Sequence, residues 1–167
     1  MTRCIATVTP EALSPAEIGA LVALLDAERL TEAEQGARTR LEAHPNAGML
    51  WKILGVALLR QGRDPLPALR RAAELMPHDA ESEGNLGHAL LSKDNVDEAI
   101  PHLKKMLVLG PETAQLHKDL GAAPAEKGQI DEAIPHFDHA LQIAPYMVEA
   151  HSYLVVPENI VNRHKNQ

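Results

Sequence analysis

His136 and His139 stand three residues apart with Asp138 between them. On a helix that spacing turns both imidazoles to one side, where they would begin a metal site. A metal centre needs three or four converging ligands with supporting partners. Here, however, the hexapeptide DEAIPH occurs twice, so that His102 precedes His136 by thirty-four residues. The two histidines read as one surface position copied, and no metal is expected. Arg60, Arg63, Arg70 and Arg71 would make a basic patch for a phosphate or an acidic partner; with Asp and Glu nearby they read as a solvated, charge-balanced face. Cys4 is the only cysteine and has no basic neighbour but Arg3, which speaks against a disulfide, a cysteine-based zinc site and an activated thiol. The chain has no phosphate-cradling glycine loop, no HExxH and no GxSxG, and it reads as a non-enzyme without a cofactor.

Composition points to the elements that carry these side chains. Of 167 residues, 45% are hydrophobic but only 2% aromatic, so aliphatic and alanine side chains must fill any core. Plentiful Leu, Ala, Glu and Arg favour helices over strands, giving an all-α chain. The formal charge of −7 opposes a nucleic-acid footprint and a polybasic membrane surface. Nine histidines will raise that charge between about pH 7 and pH 5. No stretch approaches the eighteen consecutive apolar residues of a membrane span, and the opening MTRCIATVTPEALSPAE lacks the apolar run of a secretory signal. The expected location is cytoplasmic.

The dominant pattern is a repeat. Leu86, Gly87, Leu90, Ala99, Leu103 and Pro111 recur thirty-four residues later as Leu120, Gly121, Pro124, Ala133, Phe137 and Pro145. A period of this size means a stacked array of helical hairpins, each unable to bury its apolar face alone. The closing prolines at 45, 77, 111 and 145 place the units at 14–47, 48–79, 80–113 and 114–147, the second being two residues short at its turn. Residues 1–13 are expected to form a flexible tail, and 148–167 a capping helix and C-terminal tail.

Within the units, Ser14, Pro15 and Glu17 make a strong helix start, and Thr31 with Glu34 suggests a second capping box. Pro65 and Pro67 should start the second helix of the second hairpin late. Gly55, Gly87 and Gly121 on first helices, with Ala99 and Ala133 on second helices, should let each pair approach closely. Asp97 and Asp131 are placed to cap second helices, which would put Pro101 and Pro135 within about the first turn. Pro124 is the misfit: it replaces a large apolar residue in the middle of a first helix, at a cost of about 3 kcal/mol, and should weaken residues 121–127.

Trp51, Leu54, Gly55 and Leu58, with Ala133, Phe137, Ala140 and Pro145, resemble the two helices of a tetratricopeptide repeat. The resemblance covers roughly 14–147 and is weakest in the first unit, which has Leu21 in place of the glycine. A degenerate first unit, WKILGVALLRQG and a short second turn are also similar to arrays that begin bacterial proteins with a glycosyltransferase resembling the O-linked GlcNAc transferases. Residues 148–167 are too few to be that enzyme.

The tetratricopeptide resemblance implies a right-handed α-solenoid whose first helices line a concave groove for a peptide or helix of a partner protein. The matching positions are Ile18, Val22 and Leu25; Met49, Lys52, Val56, Leu59 and Arg60; Asn85, His88 and Leu91; and Gln115, Lys118 and Ala122. The carboxylate clamp of chaperone-binding members is matched at Lys52 and Asn85 but not at Val56, Gln115 and Asp119. The asparagine ladder of the O-linked GlcNAc transferases is matched once among Ile53, Asn85, Asp119 and Tyr153. The function expected is a non-catalytic interaction scaffold, monomeric or weakly self-associating, with a substrate-presenting part of a glycosyltransferase as the alternative.

Overall fold

The computed structural model describes residues 13–155. The expected flexible tail up to residue 12, Cys4 and Pro157 lie outside the described residues, as does the end of the capping segment. Every regular element among the described residues is a helix: α1 Pro15–Asp26, α2 Leu30–Ala43, α3 Gly48–Arg60, α4 Leu66–Leu75, α5 Ala80–Leu91, α6 Val96–Leu109, α7 Ala114–Glu126, α8 Ile130–Ile143 and α9 Val148–Val155. Residues up to Pro77 form one compact unit and those from His78 a second.

In the first unit α1 pairs with α2 and α3 with α4, while α3 also packs on both α1 and α2. In the second unit α5 pairs with α6 and α7 with α8; α7 packs on α6, and α9 on both α8 and α7. Within each unit one hairpin thus covers the apolar face of the other, the packing of an all-α solenoid. Leu50, Ile53, Leu54 and Leu58 meet Leu21, Leu25, Ala33 and Ala37 in the first core. Phe137 with Ala133 and Ala140, and Leu103 with Leu116 and Leu120, form cores in the second unit.

The glycines lie where the helices cross. A Cβ on Gly55 would stand 2.7 Å from Cγ of Leu69, one on Gly87 2.9 Å from Cγ of Leu103, and one on Gly121 2.9 Å from Cε1 of Phe137. The first hairpin exchanges the roles. Leu21 supplies the large side chain from the first helix, and Gly36 on the second helix makes room, since a Cβ there would come 2.5 Å from Cδ2 of Leu21. The hairpin lacking the glycine at its usual position keeps the close crossing by inverting large and small.

Helix starts follow two rules. The first-type helices α1, α5 and α7 are capped by side chains, while α3 begins after Ala47 without such a cap: Ser14 accepts from the Glu17 N–H while Glu17 accepts from the Ser14 N–H, Asp79 accepts from Ser82, and Thr113 from Leu116. The second-type helices α2, α6 and α8 begin after Arg29, Asn95 and Gln129 with no side-chain cap bond. This corrects the expected Thr31–Glu34 box, because Thr31 lies inside the first turn and Glu34 is buried. It also corrects Asp97 and Asp131, which are the second helical residues and act as charges at a positive helix end rather than as caps. Pro101 and Pro135 accordingly fall at the sixth residue, two residues deeper than expected. Both are exposed, so water can serve the carbonyls of Asp97 and Asp131 that lose a helical donor. The late start of the fourth helix is as expected: α4 spans 10 residues against 14 in α2, α6 and α8.

Pro124 is the eleventh residue of α7, in its last turn rather than its middle, and the helix runs on to Glu126. Its carbonyl accepts from the N–H groups of Lys127 and Gln129 at 3.1 and 2.9 Å, which closes the turn. The left-handed residue of each hairpin turn is Glu28, Gly62, Asp94 or Gly128, at φ 55°, 69°, 62° and 75°. The two residues missing from the second hairpin are therefore lost after its turn residue, at the start of α4.

Candidate functional site

Four charge-bearing clusters lie on the surface or in the hairpins, and three are explained by packing. In the first unit Glu34 is only 6% exposed. It accepts from Arg38 at 2.9 Å, Gln61 at 3.1 Å and Arg63 at 2.5 Å. Burial pushes its carboxyl up, but the bonds from Arg38 and Gln61 and the Arg63 charge outweigh this and hold it below the usual carboxylate range. Arg60 donates to the Leu25 carbonyl and lies 3.4 Å from Glu28, and Arg71 reaches Glu74 and Asn46. Charge balance is thus the rule at Arg60, Arg63 and Arg71. Trp51 is half-buried against the first core, with its indole N–H on the carbonyl of Pro45 at 2.8 Å.

In the second unit Glu83, wholly buried on α5, accepts from His102 Nδ1 at 2.6 Å and Lys105 Nζ at 2.9 Å on α6. One repeat later the same two positions hold His117 and His136, with Nδ1 to Nδ1 at 3.2 Å. The Glu112 carboxylate takes the His117 Nε2–H at 2.5 Å, so neutral His117 must accept at Nδ1 and His136 must donate. His139 stacks on His117 with ring centroids 5.1 Å apart and donates its Nδ1–H to the Pro135 carbonyl. His102 and His136 are indeed one position copied, but that position faces the first helix of its own hairpin and is not a solvated surface. No group of three or more His, Cys, Asp or Glu among the described residues could hold a metal.

The fourth cluster is open. Two adjoining hollows of about 300 and 260 Å³ in the second unit share Leu91 and Asp119. The smaller is completed by His88 and Gln115. Lys118 and Ala122 line the larger one, and Tyr153 contributes to it from α9. At the centre, Asp119 accepts from Gln115 Nε2 at 2.9 Å, with Lys118 Nζ 3.3 Å and His88 Nε2 3.2 Å away. The His88 nitrogen approaches the carboxylate without the alignment of a hydrogen bond and is buried without a hydrogen-bond partner. Burial pushes the Asp119 carboxyl up, but His88, Gln115 and Lys118 outweigh it and hold it below the usual carboxylate range.

Of the fourteen positions matched to the groove, His88, Leu91, Gln115, Lys118 and Ala122 are thus gathered around Asp119. Asn85, on α5 with His88 and Leu91, has a buried Nδ2 without a partner. The first-unit positions Met49 and Val56 pack half-buried on the core, Lys52 is 7% exposed, Leu59 is 38% exposed and Arg60 is paired as above. Ile18 is half-buried on the same core, Leu25 belongs to it and Val22 is 38% exposed. Asp119 and Tyr153 had entered only as mismatches to a ladder of asparagines. That they recur at a thirty-four-residue spacing on first helices was the signal that they line the same surface.

A tetratricopeptide repeat model matches residues 20–80 and 85–148. YrrB, described as a tetratricopeptide repeat protein with an unusual peptide-binding site, is 27% identical with a TM-score of 0.70, over 82% of this chain and 72% of that one. A MamA protein aligns with a TM-score of 0.73 at 22% identity, over 83% and 76%. MamA from Desulfovibrio magneticus RS-1 aligns with 0.66 at 24%, over 78% and 75%; both MamA likenesses speak to the fold alone. No curated protein matches the chain. With its hairpins, their crossing glycines and a family match across both units, the chain belongs to the tetratricopeptide repeat family.

Proposed function

We propose that the chain is a non-catalytic scaffold that holds a peptide or helix of a partner protein against its first helices. The observation that carries this is the convergence of His88, Leu91, Gln115, Lys118 and Ala122 on two adjoining hollows, while the other charged clusters satisfy one another internally. The peptide-binding site described for YrrB supports the reading by analogy.

The test is capture from the native cell on the immobilised full chain, read by mass spectrometry. His88→Ala, Leu91→Ala and Gln115→Ala should each deplete the captured partner while far-UV circular dichroism stays unchanged. If all three retain the same partner, the first helices of the second unit are the wrong face. A substrate-presenting role for a glycosyltransferase rests on WKILGVALLRQG and the short second turn. The coding sequence downstream of Gln167 decides it.

A further inference from the structure

The hollow around Asp119 has a charge sign that the family resemblance did not supply. The larger hollow is lined by four carboxylates, Asp94, Asp119, Glu126 and Glu149, against the single ammonium of Lys118. Lys118 is already committed to Asp119. Asp94, Glu126 and Glu149 have no ion-pair partner among the described residues, and all three are exposed at the rim.

Their placement adds to the field. Glu126 is the last residue of α7 and Asp94 follows the end of α5 by three residues. Glu126 therefore lies at a helix C-terminus, whose unpaired carbonyls are themselves partly negative and where acidic side chains are disfavoured, while Asp94 also precedes α6 by two residues and Glu149 stands in the first turn of α9. A bound cation would relieve that repulsion. An anionic ligand would meet it at every wall, and Asp119 occupies a place where the carboxylate clamp needs a positive charge. Between the acids, Leu91, Val96, Ala122 and Tyr153 offer apolar surface to the stem and neighbours of a long side chain.

Resting on the scaffold reading above, we propose that this hollow takes a lysine or arginine side chain from a partner segment in which basic and apolar residues alternate. Apolar stems pack on Leu91 and Tyr153, and the cationic head sits among Glu126, Glu149 and Asp94. The hollow's volume of about 300 Å³ is at the lower end of formed binding clefts and suits one such side chain rather than a folded surface.

The experiment uses the full chain and three fluorescent decapeptides, alternating Arg/Leu, Ser/Leu and Glu/Leu, followed by fluorescence polarisation. The Arg/Leu peptide should bind most tightly. It should weaken as salt rises from about 50 to about 500 mM, and lose roughly tenfold in affinity in the Glu126→Lys/Glu149→Lys double variant. The control Asp26→Lys/Glu42→Lys has the same net charge in the other unit and should bind as the parent does. Equal affinity for Arg/Leu and Ser/Leu, or equal loss in the control, overturns the charge proposal. In that event, binding of any peptide that is lost in Leu91→Ala leaves the scaffold reading standing. Binding indifferent to Leu91→Ala overturns both.

Discussion

His136 meets His117 at 3.2 Å, Nδ1 to Nδ1, where one repeat earlier His102 meets the carboxylate of Glu83. The contact has room for a proton on only one of the two facing nitrogens: protonating both rings would set two N–H groups against each other. Burial lowers the His136 pKa first, followed by the repulsion of His117, Lys104 and His139, with Glu132 opposing weakly. A depressed folded-state value means that the unfolded chain takes up the proton first. The contribution to stability is therefore complete above the free-imidazole value of 6.5 and is lost as pH falls below it. Denaturant midpoints should decline from pH 7 toward pH 5.5, and His136→Gln, which keeps a donor for His117, should flatten that decline; parallel slopes would sink the account.

Glu83 tests the other version of the pair. Removing both of its partners in His102→Ala/Lys105→Ala leaves a wholly buried carboxylate uncompensated, with an expected loss of about 3–5 kcal/mol. Glu83→Leu removes the charge itself and lets its two partly exposed partners return to water, so its cost should stay within about 1 kcal/mol. Urea unfolding of the two variants at neutral pH separates these outcomes. Equal losses would mean that the ion pair, not the stranded charge, carries the energy.

Two glycines on helices should respond to alanine with opposite signs. Gly19 has nothing within 4 Å of a Cβ, so Gly19→Ala should gain about 1 kcal/mol from helix propensity. Gly55→Ala receives the same gain but drives a methyl into Leu69, and overpacking of about 1–3 kcal/mol should leave it less stable than the parent. Thermal midpoints suffice to read the signs.

Much of this packing was legible from spacing, because a hairpin crossing needs a small residue opposite a large one at a fixed register. Gly55, Gly87 and Gly121 announced themselves in this way. The first hairpin did not, since Leu21 and Gly36 conserve the summed volume at the crossing while moving the glycine to the other helix. The pairs Glu83–His102 and His117–His136 were hidden for a related reason. Each joins two helices across nineteen residues, and the repeat showed that 102 and 136 correspond without showing what they face. The hollow was half visible: His88, Gln115 and Lys118 were placed by family pattern, while its acidic wall comes from a turn, a helix end and α9.

Pro124 sits where Leu58 and Leu90 stand in the two preceding hairpins, both well buried. In the last turn it removes one donor without breaking α7, so Pro124→Leu should stabilise the second unit by less than the interior figure, about 1–2 kcal/mol. Hydrogen exchange should find amides at 121–127 faster than those of α3 in the parent and slowed in the variant. Protection there already equal to α3 would refute the weakness assigned to this turn.

The bond from Trp51 to the carbonyl of Pro45 has a practical consequence. The chain's only tryptophan is fixed within residues 13–77, while its counterpart in the second unit, His151, makes the same six-residue reach to Pro145 without fluorescing. Emission therefore follows one half of the molecule and far-UV ellipticity follows all of it. Two melting curves from one unlabelled sample thus measure how cooperatively neighbouring hairpins come apart, a property on which every repeat array depends.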